Sequence, residues 1–325
     1  MPNEWHHVHL GSRAAGGVGL VMVEASAVVP DGRISPQDMG IWSDRHADAF
    51  RPITAFLKKN GSTPAIQLAH AGRKASTTAP WLGGLGVSHQ EGGWTPVGPG
   101  AETFDTGYIQ PRRLAVEELR GLVDSFASAA RRSIAAGFEV IEVHAAHGYL
   151  LHEFLTPLVN RRDDNYGGSL ENRMRLTLEV SQAVREAVPS GLPVLVRISA
   201  TDWVDGGWDI EQSIELSKRL KRIGIDLIDC SSGGAVPDAK IATGPGYQAD
   251  FAARIRSEAA IATAAVGLIT EPRQAEQLLT DGAADAILLG RQLLREPYFA
   301  FRAARELGAD IAVPKQYGRG ILIRG

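Results

Sequence analysis

Seven short, nearly continuous apolar runs alternate along the chain with longer stretches of helical spacing, and few folds accommodate that order. The runs are Gly19–Ala27, Thr63–Leu68, Val140–Ala145, Val194–Ser199, Leu227–Ser231, Ile261–Val266 and Ala286–Gly290. Apolar character on successive residues marks strands covered on both faces, as in parallel sheets. Between them, Leu119, Leu122, Val123, Phe126, Ala130 and Ile134 recur at three and four residues, and Ile210, Ile214, Leu220 and Ile223 do so further on. The reading is an α/β fold of parallel βαβ units. A doubly wound sheet accepts seven strands, whereas a (β/α)8 barrel needs eight. The chain opens with a predicted helix, Trp5–Ala15, and no strand before it, so a barrel reading implies that the first β-strand is missing. No linker or composition shift divides the chain, which reads as one domain over residues 1–325. Its one long connection, residues 71–113, is rich in Gly, Pro, Thr and Trp. Connections of that length are usually functional.

Composition excludes several function classes. With 34 Lys+Arg against 37 Asp+Glu, 44% hydrophobic and 22% charged residues, the chain is neither disordered nor a strongly basic nucleic-acid binder. No run approaches the ~20 apolar residues of a membrane span. The opening MPNEWHHVHLG lacks signal-peptide features. One cysteine, Cys230, excludes disulfide frameworks, Cys-rich zinc sites and multi-thiolate iron–sulfur clusters. A cytoplasmic location is the resulting expectation, with no nucleic-acid or membrane partner.

The residues suited to chemistry fall at strand ends, where parallel α/β folds bind ligands. The run Val140–Ala145 leads into His144-Ala-Ala-His147-Gly-Tyr149. Imidazole N–H groups can donate to a carbonyl or anionic oxygen, and a tyrosine hydroxyl can deliver a proton. Three readings of the pair stay open: structural, substrate-binding, or metal-ligating, the last lacking an evident third ligand. Gln67 and Arg197 also close strands and suit a flat polar heteroaromatic ligand. Arg197 could instead pair with Glu142 on the neighbouring strand. Gly267 and Gly290, each after a late strand, let backbone N–H groups approach a phosphate, and Arg291 adds a charge-assisted contact. Neither a dinucleotide fingerprint nor a P-loop is present. No strand end carries a Schiff-base lysine, since Lys58, Lys59, Lys218 and Lys221 fall in helices or loops.

At these residues the chain resembles the Old Yellow Enzyme family of FMN-dependent ene-reductases. The stretch HAAHGYLLHEFLTPLVNRRDDNYGGSLENR (His144–Arg173) is similar to the family's central signature. Val23–Asp44, IQLAHAGRKA (Ile66–Ala75), SATDWVDGGWDI (Ser199–Ile210) and the tail PKQYGRG resemble its bacterial thermophilic-like class. The resemblance implies a TIM barrel holding FMN tightly but non-covalently, with NADPH or NADH as hydride donor and an electron-poor alkene as small-molecule substrate. It implies flavin contacts from Ala25, Gln67 and Arg197, and a phosphate site at Gly267, Gly290 and Arg291. His144 and His147 would bind the substrate carbonyl, and Tyr149 would be the proton donor. Arg319, in the tail 308–325, would reach a neighbouring protomer's site in a homo-oligomer, a dimer or tetramer. The family's first strand, with its Ser-Pro-Met-Cys-like segment and nearby tyrosine, has no counterpart in this sequence. That piece, roughly 30–40 residues on the scale of a supersecondary unit, is expected to precede Met1, because an open barrel exposes two strand edges. Cys230 lies on a different strand and does not replace the family's cysteine; its expected role is a small buried apolar residue. The alternative to an enzyme is an FMN-free, non-catalytic remnant of the same family.

Overall fold

The computed structural model describes residues 1–321. Helix α1 (Glu4–Ala15) opens the chain, and the Asn3 side chain caps it by accepting from the Trp5 N–H at 3.0 Å. Then follow β1 (Leu20–Ala27), α2 (Asp44–Lys59), β2 (Thr63–Ala69), α3 (Val116–Ala135) and β3 (Val140–Ala145). The turn of helix α4 (Leu150–Leu155) precedes α5 (Leu170–Ala187), β4 (Val194–Ser199), α6 (Ile210–Arg222) and β5 (Leu227–Ser231). The chain continues through α7 (Ala249–Ala259), β6 (Ala262–Ala265), α8 (Pro272–Thr280), β7 (Ala286–Ile287), α9 (Arg291–Arg295) and α10 (Phe299–Leu307). Each of the seven expected strands forms, the last shorter than its apolar run.

All seven strands pair in parallel, and their spatial order is their chain order. A doubly wound sheet reverses direction part-way, so the unbroken order selects the barrel-type alternative. The sheet curls until residues Leu20–Glu24 of β1 and Ile287–Gly290 at the end of β7 line one shared cavity. Among the described residues these two edges do not pair with each other. The result is an open, curled parallel sheet with helices outside it. α1 bridges the opening, where Arg13 donates to the Leu293 carbonyl at 2.8 Å. β7 stops after two residues because only β6 offers it a ladder; Leu288 adds a single bond to the Ala265 carbonyl at 2.9 Å.

The core lies between the sheet and the helices. Phe50 of α2 meets Phe138 edge-on at 5.2 Å, and buried Trp208 donates to Ser213 at 2.6 Å. The 71–113 connection is an ordered layer holding three 3-10 turns and a two-residue strand pair, Val97–Gly98 with Arg112–Arg113. Trp94 fastens it to the Asp31 carbonyl at 2.8 Å, and Arg162 donates to the Leu114 carbonyl just beyond it at 2.7 Å. No helix among the described residues is long and apolar enough to cross a membrane.

Candidate active site

β3 delivers His144 to its carboxyl end, and the following turn carries His147 and Tyr149. The turn requires left-handed backbone, with φ of 61° at His147 and 70° at Gly148. A non-glycine residue in that region is uncommon and costs about 1 kcal/mol or more, so its surroundings must hold it. Four contacts do. The His147 N–H donates to Ser199 Oγ at 2.8 Å, and Lys74 Nζ clamps the His147 and Gly234 carbonyls at 2.8 and 2.6 Å. The Gly148 N–H donates to His152 Nδ1 at 2.9 Å, and His152 Nε2 lies 3.1 Å from Asp202, both residues fully buried. A Cβ on Gly148 would sit 2.0 Å from the Gly234 carbonyl oxygen, so only glycine fits.

Hydrogen bonding orients the pair of imidazoles. The Ala146 N–H donates to His144 Nδ1 at 3.2 Å, which leaves the His144 proton on Nε2, 3.4 Å from His147 Nδ1. His147 Nε2 in turn faces Ser231 Oγ at 2.7 Å. Burial drives both imidazoles well below their ordinary range, and the nearby Arg197 and Lys74 cations push the same way. Both are therefore neutral N–H donors at physiological pH. The Tyr149 ring packs edge-on against His144 at 5.1 Å, and burial, with Asp38 and Tyr108 nearby, pushes its phenol up to about 12. It keeps its proton. Among the described residues no group of three His, Cys, Asp or Glu side chains converges as a metal site would need.

A cavity of about 780 Å3 occupies the opening between β1 and β7, walled by α1, α8, α9 and α10 and reaching inward to the sheet. Gln67, Arg197, Gly290 and Arg291, all singled out in the sequence, line it together with Glu142 and Asp229. Ala25 and Tyr149 line a separate crevice of about 10 Å3. Gly267 borders the cavity through its neighbour Val266; its φ is 130°, and a Cβ would press on Tyr247 and Gln248 at 3.0 Å. Arg319 is exposed in the helical turn Gly318–Ile321 and lines neither pocket. Cys230 is buried, and its thiol is held well above its ordinary value by burial and by Asp229.

One expected pairing is corrected. Arg197 Nε lies 3.0 Å from Asp229 Oδ2, not against Glu142. Register decides this: Arg197 stands directly opposite Asp229 on β5, whereas Glu142 stands opposite Leu195. Glu142 instead accepts from Gln67 Nε2 at 2.7 Å. Sequence reasoning missed Asp229, Lys74, Ser231 and the His152–Asp202 pair. The signal for Asp229 was an acid inside the apolar run LIDCS, which a parallel strand buries on both sides.

The residues present fit FMN. The inner end of the cavity carries the Gln67 amide and the Arg197 guanidinium, a donor set suited to a flat polar ring, and the space beside Gly290 is open.

Comparison with known proteins agrees. Residues 1–310 match the NADH:flavin oxidoreductase / NADH oxidase family. An NADPH dehydrogenase of Bacillus subtilis is 48% identical over 97% of this chain and 88% of its own length; one from a Geobacillus species is 46% identical over the same shares. Among solved structures, an Old Yellow Enzyme homologue from Zymomonas mobilis aligns with a TM-score of 0.76 at 27% identity, covering 96% of this chain and 85% of that one. Morphinone reductase gives 0.78 at 27%, covering 97% and 83%. The open parallel sheet thus corresponds to the barrel of those enzymes, and the chain belongs to the NADH:flavin oxidoreductase / NADH oxidase family, as an FMN-dependent oxidoreductase that uses NAD(P)H.

Proposed function

We propose that this protein reduces the activated C=C bond of α,β-unsaturated carbonyl or nitro compounds. The observation that carries the reading is a pair of neutral imidazoles and a protonated phenol at the carboxyl end of β3, where His144 stands directly opposite Arg197 of the neighbouring strand. When bound, FMN would supply the hydride chemistry that links NAD(P)H to the β-carbon of the alkene. The protein's own residues do the rest. His144 and His147 donate N–H bonds to the substrate's carbonyl or nitro oxygen, where negative charge grows as the double bond is reduced. Such donors stabilise the transition state more than the ground state. Tyr149 holds a proton for the α-carbon, and its position against His144 keeps it on the same face of the turn.

Gln67 and Arg197, with Ala25 at the crevice, would meet the flavin ring, Arg197 opposing negative charge on its N1/C2 edge. Gly267, Gly290 and Arg291 would hold the phosphate. The gap between β1 and β7, lined by Leu20, Met22 and Ile287 among others, would take one further parallel strand, closing the (β/α)8 barrel. Residues 1–325 would then act as a single FMN-binding domain, with Arg319 reaching a partner subunit's site in a dimer or tetramer.

The open edge also favours a second reading, a chain that does not retain FMN. An absorption spectrum of the purified protein separates the two. Yellow protein whose flavin bands bleach with anaerobic NADPH and return on adding 2-cyclohexenone supports the ene-reductase. Bleaching without recovery removes the alkene-reductase reading but keeps the NADPH half-reaction. Colourless protein that takes up no added FMN supports the second reading.

A further inference from the structure

The inner end of the cavity contains more acid than the reading above uses. Gln67, Glu142, Arg197 and Asp229 come from four successive strands, β2 to β5, and all line the same space. Gln67 stands directly across from Glu142, and Arg197 directly across from Asp229. Two carboxyl groups therefore share one guanidinium, and the charged groups acting on either carboxyl are the other acid and Arg197. Both acids are almost wholly buried. If both were ionised, the trio would hold an uncompensated buried charge, which proteins avoid by retaining a proton. Glu142 Oε2 and both Asp229 oxygens lack any aligned protein N–H or O–H donor. One proton on Glu142, donated to Asp229, supplies what is missing, and burial together with the Asp229 charge favours it there. Arg197 Nε is buried against Asp229, while the side chain remains about a quarter exposed, facing the cavity.

We propose that Asp229 and Glu142 are positioning residues for Arg197: Asp229 holds the guanidinium by its Nε, and Glu142 shares one proton with Asp229, so that the trio is neutral and the outer guanidinium edge is aimed at the ligand. The proposal rests on the reading that FMN lies against Arg197. It makes Asp229 the group that fixes how much positive charge the ligand meets. Removing that acid in a Glu142→Gln background, where no second carboxyl can take over the charge, leaves the guanidinium unbalanced and less firmly held. Replacing Glu142 by Gln exchanges one neutral hydrogen-bond donor for another.

The test uses the full chain loaded with FMN, comparing the parent with Glu142→Gln and with Asp229→Asn made in the Glu142→Gln background, by FMN dissociation constant and by spectroelectrochemical titration. In that background Asp229→Asn should weaken oxidised-FMN binding about tenfold. It should also favour the reduced over the oxidised cofactor by about tenfold, an upward shift of about 30 mV for a two-electron couple. Glu142→Gln should move either quantity by no more than about twofold. A mere packing defect lowers affinity without displacing the potential upward. An Asp229→Asn, Glu142→Gln protein with the parent's affinity and potential overturns the proposal, as does Glu142→Gln alone shifting the potential as far as the pair. If the parent itself binds no FMN, the cofactor reading fails, and the trio is tested separately in the cofactor-free chain. There, in the Glu142→Gln background, urea unfolding of Asp229→Asn, Arg197→Met and their double variant should be non-additive by at least tenfold in the unfolding constant. Additive effects would refute the trio. The double variant, which removes both charges, keeps the test available if Asp229→Asn alone does not fold.

Discussion

Glu153 offers a direct check on the electrostatics beneath the 71–113 layer. Its side chain is fully buried on α4, where Oε1 accepts the Arg73 N–H at 2.8 Å and Oε2 has no partner among the described residues. Burial pushes its carboxyl up to about 8 from an ordinary 4.5, although Arg73, its backbone N–H and Lys74 all pull downward. The folded chain therefore binds one more proton than the unfolded chain between those two pH values. A group raised in the folded state contributes its full stability below the unfolded value and loses it as pH rises through the folded one. The loss runs at about 1.4 kcal/mol per pH unit, reaching about 5 kcal/mol in total by pH 8. Glu153→Gln keeps an acceptor for the Arg73 N–H and has no proton to lose. Urea unfolding of parent and variant at pH 5.5, 6.5 and 7.5 reads the difference. The variant should gain about 2.7 kcal/mol relative to the parent between pH 5.5 and 7.5. Two stability curves that run parallel within about 0.5 kcal/mol over that range would show that Glu153 ionises normally in the fold, and the burial argument would be wrong.

Tyr149→Phe should leave flavin reduction by NADPH within a few-fold of the parent while slowing reoxidation by 2-cyclohexenone by about 10²–10⁴, the usual worth of a positioned proton donor; stopped-flow measurement of the two half-reactions checks this. Gly148→Ala drives a methyl group to 2.0 Å from the Gly234 carbonyl oxygen at a left-handed position, so it should lower the urea midpoint and displace the His147 imidazole resonances by NMR. Cys230, buried and with its thiol raised, should resist alkylation by iodoacetamide in the native protein at pH 8 and react fully in urea.

Strand positions were legible because parallel strands covered on both faces are written as unbroken apolar runs. β3, β4 and β5 match their runs residue for residue. The last run was read too long, since apolar residues alone do not reveal whether a strand has a second neighbour to pair with. Chain-order topology was half legible: strand count left two sheet types open, and only the pairing chose between them. The site divides in the same way. His144, His147, Tyr149, Gln67 and Arg197 stand out because polar side chains interrupt apolar runs at their carboxyl ends. The partner of Arg197 did not, because the choice between Glu142 and Asp229 depends on a register that one sequence does not state. Lys74 escaped notice for another reason. It lies in a loop, and its importance comes from two carbonyls brought together from residues 73 and 160 positions away.

The geometry of the histidine pair also assigns unequal tasks to two residues that the sequence presents as equivalent. His147 is anchored on three sides, by Ser199 at its N–H, by Lys74 at its carbonyl and by Ser231 at Nε2, the last at 2.7 Å. His144 Nε2 has only His147 Nδ1, at 3.4 Å, near the outer limit for a hydrogen bond. A substrate oxygen that takes the His144 proton thus displaces a weak contact, whereas taking the His147 proton means giving up a short one. The cost of the first exchange is a fraction of the ~1 kcal/mol of an ordinary hydrogen bond, and the second forfeits most of one. On the alkene-reductase reading, His144 is then the principal donor to the growing negative charge. His147 holds the orienting position, fixed by Ser231. Ser231→Ala should therefore loosen the site by freeing His147 rather than by removing a substrate contact, which raises KM more than it lowers kcat. Steady-state kinetics with a single enone distinguishes the two; a fall in kcat at unchanged KM would mean that His147 and its serine act on the transition state directly.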